Sequence, residues 1–331
     1  MSEKILSISI AAYNVENVIK KCLDSLCECR YFDKLDIIVV DDGSSDQTVD
    51  LVTSYVQKFP NIITLIAKEN GGHGSTINAS LKVAKGKYYK VLDGDDWVNP
   101  NALDQLVTYL ENADVDLVIN PYNEVYNDRI SLINVRRNLK FNTLYTINDL
   151  SEFDYMPMHS ICVKLEQYKK VNQSISEHCF YVDTEFVYFI FSIIDSVVFL
   201  EDVVYQYRLD QLTQSVSWNG IYKHIEDYIC ILKRLFKLYN DTHYTNGYRQ
   251  NLLFRLLSSR YKLLFYWYSN FTNTDKDYLL IDIDKDLRKL YPQLLASINL
   301  GVYSLLRIRY KLGLLFIRLL RRLLRRLLRR L

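Results

Sequence analysis

Over roughly its first hundred residues the chain alternates predominantly apolar runs with stretches of helical periodicity, and the runs stop abruptly at polar residues. Ile5 to Ala12 reads as a strand that breaks at Tyr13-Asn14. Leu35 to Val40, apolar but for one acid, runs into Asp41-Asp42-Gly43-Ser44-Ser45-Asp46. Ile62 to Ala67 and Tyr88 to Leu92 are two further strands. Between them, Val15, Val18, Ile19, Leu23 and Leu26 recur at helical spacing, as do Val49, Val52 and Val56, and a third helix falls around Ser75 to Ala84. Apolar strands that alternate with helices predict a parallel sheet covered on both faces. Ligands of such sheets bind beyond the carboxyl ends of the strands, which is where Tyr13, Asp42 and the acids after Leu92 fall.

The fourth strand ends in Asp93-Gly94-Asp95-Asp96-Trp97. Three carboxylates this close repel one another unless a cation sits among them, and the glycine lets the backbone turn so that they can converge. A divalent ion held by one or two carboxylates fills its remaining positions with water and substrate phosphates, so the motif suggests a metal–diphosphate site. The plainer alternative is a solvated acidic turn.

The runs Ser7-Ile8-Ser9-Ile10-Ala11-Ala12-Tyr13-Asn14-Val15-Glu16, Ile38-Val39-Val40-Asp41-Asp42-Gly43-Ser44-Ser45-Asp46, Asn70-Gly71-Gly72 and Leu92-Asp93-Gly94-Asp95-Asp96-Trp97 resemble, in this order, the motifs of the family 2 glycosyltransferases, of the bacterial surface-polysaccharide type. Phe180-Tyr181-Val182-Asp183-Thr184-Glu185-Phe186 resembles the family's Glu-Asp motif, and Tyr205-Gln206-Tyr207-Arg208 with Gln214-Ser215-Val216-Ser217 is also family-like. The resemblance implies the α/β nucleotide-diphospho-sugar transferase fold called GT-A, a mostly parallel sheet flanked by helices. It implies a metal-dependent, inverting transfer of a sugar from a nucleotide-sugar, a UDP-sugar in the family's commonest case, to a hydroxyl of a glycan or lipid-linked glycan. The implied nucleotide-sugar contacts are Ala11, Tyr13, Asp42, Gly72, Asp93, Gly94, Asp95 and Arg208. Tyr13 would stack on the base and Asp42 would accept from its ring. Asp93 and Asp95 would hold Mn²⁺ or Mg²⁺, and Asp183 would be the catalytic base. His73, Asp96, His159 and His178 are further candidates for phosphate or acceptor contact.

The chain departs from the family where Ala12 replaces a common proline, Ile77 a common arginine, and Val182 the first acid of the Glu-Asp pair. The missing arginine leaves Lys68, Lys90, Arg208 or His73 to neutralise the diphosphate. Asp183 and Glu185 also have a purely structural explanation, as acids at a helix N-terminus. Two rival functions stay open. A sugar nucleotidyltransferase would usually show a glycine-rich basic loop after the first strand, unlike Ala11-Ala12-Tyr13-Asn14. A non-catalytic, membrane-attached partner of another glycosyltransferase finds support in Ile77 and Val182.

The organisation predicted is a catalytic domain over residues 1–217, with 1–100 binding the nucleotide-sugar and 101–217 forming the acceptor side. A helical extension over 218–304 and an amphipathic segment over 305–331 follow. In the extension, Ile221, Ile225, Tyr228, Ile229, Leu232, Leu235 and Phe236 form one apolar stripe and Leu252, Leu253, Leu256, Leu257 and Leu264 another. Thr274-Asp275 is placed to cap a later helix. The cluster Tyr261, Tyr266, Trp267, Tyr268 suits burial, a membrane boundary or a sugar wall. The whole chain carries +2; without the seven arginines of Arg318–Leu331, residues 1–317 carry −5. That body has no basic stripe with interleaved aromatics, so nucleic acid is excluded as its partner. In the tail, leucines and arginines fall on opposite halves of a helical wheel. Too short in apolar run to span a bilayer, such a helix lies on an anionic membrane surface; packing against the protein or a second subunit is the alternative, so a homo-oligomer is open. The N-terminus shows no secretory signal, and the expected location is cytoplasmic, at the inner face of the membrane. Six cysteines show no zinc spacing; Cys27 and Cys29 are either reactive or simple thiols of a reducing cytosol.

Overall fold

The computed structural model describes residues 3–150, 153, 156–209, 217–301 and 304. It divides into two compact units, Met1–Gln214 and Ser215–Leu331. The amphipathic tail Arg318–Leu331 and the run Gln214-Ser215-Val216 lie outside the described residues.

The first unit opens with β1 (Leu6–Ala12), α1 (Ile19–Cys27), β2 (Leu35–Asp41), α2 (Thr48–Lys58), β3 (Ile63–Ala67), α3 (His73–Val83) and β4 (Tyr88–Asp93). The four strands are parallel, in the order β3-β2-β1-β4. Every residue of β2 is buried, as are Leu6, Ile8, Ile10 and Ala12 of β1. The two serines of β1 are accommodated by pairing: Ser7 Oγ donates to Asp36 Oδ2 at 2.6 Å, and Ser9 Oγ to Ser80 Oγ at 2.7 Å. A central strand can therefore carry polar residues without leaving buried hydroxyls unsatisfied.

The chain continues through β5 (Trp97–Val98), α4 (Pro100–Asn112), β6 (Leu117–Ile119), β7 (Tyr122–Val125), β8 (Ile130–Ile133), β9 (Leu144–Thr146), β10 (Ile161–Lys164), α5 (Leu165–Tyr168), α6 (Asp183–Ile193), β11 (Ser196–Phe199) and β12 (Tyr205–Arg208). The sheet grows from β4 through β10, β6, β11 and β9; β10 runs antiparallel to both β4 and β6. Asn99 caps α4 by accepting from Ala102 N–H, with Pro100 at the first helical position. A second sheet, in the order β5-β12-β7-β8, is an element the sequence pattern does not announce. This is the expected α/β architecture, a largely parallel sheet flanked by helices.

The second unit is helical: α7 (Trp218–Lys223), α8 (Ile225–Asp241), α9 (Gly247–Tyr268), α10 (Asp277–Leu290) and α11 (Pro292–Ala296). Both apolar stripes are buried. Of the aromatic cluster, Tyr261, Trp267 and Tyr268 are core and Tyr266 is exposed. Thr274-Asp275 does not cap α10: the cap residue is Lys276, with no side-chain bond, and the Asp275 carboxylate accepts the Tyr222 hydroxyl instead. Among the described residues no helix is long and apolar enough to cross a membrane.

Candidate active site

The loops after β1, β2 and β4 converge at the carboxyl edge of the parallel strands. The β1 loop turns at Asn14, which adopts a left-handed φ of 51°; its side chain accepts from Ser45 N–H at 2.8 Å, while Ser44 Oγ accepts from Asn14 N–H at 2.9 Å. This lacing leaves the Tyr13 ring 53% exposed, open to a stacking partner. Gly94 N–H donates to the Ala11 carbonyl at 2.9 Å. A Cβ on Gly94 would come within 2.8 Å of that carbonyl oxygen, so only glycine lets the acidic loop fold back onto β1.

Asp42 is buried and fully engaged. Its Oδ1 meets Lys68 Nζ at 2.6 Å, Gly71 N–H at 2.9 Å and Ser75 Oγ at 3.1 Å, and its Oδ2 accepts from Gly72 N–H at 2.8 Å. It thereby fixes the glycine loop from which α3 starts. Gly72, with φ of 79°, is the residue before the helix, and His73 is the first residue within it. His73 Nε2 lies 3.1 Å from Asp93 Oδ1.

His159 approaches the same carboxylate from the turn before β10. Its Nε2 lies 3.9 Å from Asp93 Oδ2, and its ring stacks on Tyr207 with centroids 4.3 Å apart, beside Tyr205 and Tyr122. Lys90, buried in β4, donates to the carbonyls of His159 at 2.7 Å and Ile161 at 3.2 Å, so it seats the turn that carries the imidazole. Asp96 is closed in by Tyr205 OH at 2.6 Å and Arg208 N–H at 2.7 Å. Arg208 also donates from Nε to the Asp95 carbonyl and lies over Trp97.

Burial opposes ionisation of all three acids, with different outcomes. For Asp93 the charge and proximity of His73, then His159, overcome it, and the pKa falls to about 2. Burial and the Asp93 charge push Asp95 up to about 6, and burial with both neighbours raises Asp96 well above the carboxylate range. Burial likewise disfavours the His73 imidazolium, but Asp93 outweighs it and the pKa is raised. At His159 burial wins and lowers it to about 4, leaving a neutral ring. One ionised carboxylate, two frustrated ones and a neutral imidazole form a donor set that favours a divalent cation. Ligand atoms of Asp93, Asp96 and His159 lie within 4.8 Å of one another, and His159 Nδ1 is buried without a hydrogen-bond partner. The residues present therefore fit a metal ion.

Asp183 is the first residue of α6, and its charge is felt at both His73 and Tyr207. The preceding loop is pinned over α3: His178 N–H donates to the Gly71 carbonyl, and Asn78 exchanges hydrogen bonds with Ile175. His178 and Tyr181 adopt left-handed φ of 52° and 64°, backbone strain concentrated beside a candidate base. The two acids at this helix start have different surroundings. Glu185 is wholly buried and accepts from Ser176 N–H and Oγ, a structural task.

The structure thus gathers Asp93, Asp95, Asp96, His73, His159 and Arg208 at one edge, with Ala11, Gly72, Gly94 and Tyr13 framing it. Of the cations considered for the missing arginine, Lys68 is held by Asp42 and Lys90 is turned to backbone carbonyls, which leaves His73 and Arg208 at the acidic loop. Ile77 and Val182, where family members carry charge, are both buried. Tyr205 and Tyr207 have no role legible beforehand, though the alternation Tyr205-Gln206-Tyr207, which puts two rings on one strand face, is a signal for them; Lys90, expected as a cation for the diphosphate, instead seats the His159 turn. Burial pushes the thiols of Cys27 and Cys29 up to about 11 and about 12, so they are not activated nucleophiles.

The model of the family described as Glycosyl transferase family 2 matches residues 7–165. EpsH of Bacillus subtilis, a glycosyltransferase by provisional name, is 34% identical over 128 residues, 39% of this chain and 36% of that protein. Poly(ribitol-phosphate) beta-glucosyltransferase of Bacillus spizizenii is 34% identical over 116 residues, 34% of this chain and 18% of that protein. The matches thus span well under half the length of either relative. The crystal structure of S. aureus TarS 1-349 in complex with UDP-GlcNAc superposes with a TM-score of 0.72, at 18% identity, covering 95% of this chain and 89% of that one, which shows a shared fold. With four motifs in family order, an acidic loop at the carboxyl edge of the sheet and the family match across both, residues 7–165 are a Glycosyl transferase family 2 domain, in a chain of GT-A fold.

Proposed function

We propose that the chain transfers a sugar from a nucleotide-sugar, a UDP-sugar first, to a hydroxyl of a glycan or lipid-linked glycan in surface-polysaccharide synthesis, with inversion at the anomeric carbon. The observation that carries this reading is the convergence of Asp93, Asp96, His73 and His159 on one edge, with the Asp183 charge acting on His73. The UDP-GlcNAc bound in the TarS structure supports UDP as the donor's nucleotide, and the poly(ribitol-phosphate) beta-glucosyltransferase relative supports a polymer as acceptor.

In this reading Tyr13 stacks on the base. Asp93, with Asp95 and Asp96 beside it and His159 completing the set, would hold Mn²⁺ or Mg²⁺, and the bound ion would supply Lewis-acid stabilisation of the charge growing on the leaving diphosphate. His73, at a helix N-terminus and with its pKa raised by Asp93 against the effect of burial, and Arg208 would add positive charge there. Asp183 takes the acceptor hydroxyl proton as its oxygen attacks the anomeric carbon and the sugar–phosphate bond breaks on the opposite face. The Arg318–Leu331 segment would hold the chain at the anionic inner face of the membrane. Incubation with UDP-sugars and a glycan acceptor, followed by product analysis, tests the reading. A new glycosidic bond is expected, whereas a new nucleotide-sugar would indicate the nucleotidyltransferase, and no turnover with any donor the non-catalytic partner.

Two further results are expected. Lys90→Met keeps the apolar stem but removes both bonds that seat His159, so Mn²⁺ affinity measured by calorimetry falls on the order of 10-fold in a folded chain. Unchanged affinity would mean the aromatic stack alone holds the imidazole. The second concerns pH. The folded-state pKa of Asp95 is raised from 3.8 to about 6. The metal-free chain is therefore stabilised as pH falls through about 6 and penalised above it, where the carboxylate must ionise without a partner. A divalent ion relieves that penalty, so Mn²⁺ raises the melting temperature more at pH ~7.5 than at pH ~5. An equal increment at both would show that no carboxylate with a raised pKa takes part in binding the ion.

A further inference from the structure

The segment 129–144 carries four cations, Arg129, Arg136, Arg137 and Lys140, and no carboxylate; Asp128 before it and Asp149 after it are the nearest acids in sequence. It also exposes large apolar side chains to an unusual degree. Of the four most exposed among the described residues, three are here: Leu144 at 66%, Ile130 at 65% and Leu132 at 58%. Ile130 and Leu132 stand two apart on β8 and so share one face, while Ile133, the last residue of β8, packs against the core. β8 is the last strand of its sheet. Natural edge strands are usually blunted by charge or cover, and apolar residues clustered at an edge mark a surface that something else covers.

We propose that the β7–β8 hairpin and the basic loop behind it are a docking surface for an anionic lipid bilayer. Charge chooses the occupant. Two copies of the chain pairing through β8 would bring eight cations together, whereas acidic headgroups would be matched by Arg129, Arg137 and Lys140, all exposed, with Ile130 and Leu132 entering the interface. The ring of Tyr126 lies under Arg129 at 4.2 Å and presents this exposed cation on an aromatic body suited to a headgroup layer, while Arg136, over Phe141 at 4.3 Å and bonded to the Leu139 carbonyl, shapes the loop. The position is consequential. β7 pairs in parallel with β12, Val125 opposite Arg208, and Arg208 N–H is bonded to Asp96. The hairpin turn therefore leaves its sheet at the end that bounds the acidic site, and a bilayer engaged there would present lipid-borne hydroxyls at its rim. The surface lies within the first unit and depends neither on the tail nor on the donor reading.

Hydrogen exchange on the full chain tests this. Amides of residues 126–144 should slow with vesicles containing phosphatidylglycerol and not with phosphatidylcholine vesicles or inorganic pyrophosphate. The variant Arg129→Ser, Ile130→Ser, Leu132→Ser, Lys140→Ser should lose that protection and weaken vesicle binding about five-fold per charge removed, with an unchanged melting temperature. Vesicle binding without protection of 126–144 would overturn the proposal and leave the tail as the contact. Protection that grows with protein concentration alone would overturn it in favour of strand pairing between copies, and equal protection by pyrophosphate in favour of a soluble-anion site.

Discussion

Asp183→Asn lowers sugar transfer by about 10²–10⁴-fold while UDP affinity stays within about two-fold. The substitution keeps the size of the side chain at the first position of α6 and removes only its capacity to take a proton. Tyr13, the glycine loop and the acidic cluster are untouched, so binding survives. The competing account makes Asp183 a helix-start acid that favours the α6 dipole; on that account the variant loses about 0.3–1 kcal/mol of stability and none of its turnover. Single-turnover kinetics beside a thermal melt separate the two. Glu185→Gln serves as the contrast: this buried side chain braces Ser176, so its effect should fall on stability first.

Asp93→Asn is expected to weaken Mn²⁺ binding on the order of 100-fold or more and to reduce transfer correspondingly, because Asp93 is the acid that the site keeps ionised. Loss of an orienting neighbour commonly costs 10–100-fold in metal affinity, and a direct ligand should exceed that. The same change takes away the main partner of His73, whose pKa should drop, visible as an altered imidazole titration by NMR. A variant that binds Mn²⁺ as wild type does while the imidazole titration shifts would remove Asp93 from the metal site and leave it an ion-pair partner only.

The parallel core was legible because β1, β2 and β4 are apolar enough to be buried on both faces and each ends at a polar loop. The second sheet was not, since β5, β7, β8 and β12 are strands of two to four residues, too short to show a period. Within the site, the one-residue spacing of Asp93-Gly94-Asp95 drew attention to Asp95, whereas the close ligand cluster contains Asp96 and His159. That choice is made by Tyr205 and Arg208, more than a hundred residues downstream, which fold over Asp96. His73 and His159 could be nominated from composition alone, but their meeting at Asp93 depends on the glycine loop held by Asp42 and on the turn held by Lys90. Lys90 shows the limit most plainly. A lysine inside an apolar strand looks like a lapse in the pattern until the carbonyls it satisfies are known.

The account stands most directly on calorimetric titration of UDP into the wild-type chain with Mn²⁺ and then with chelator. It predicts saturable binding that needs the metal and disappears on chelation. No binding of UDP with Mn²⁺ present, or binding indifferent to chelator, would contradict it.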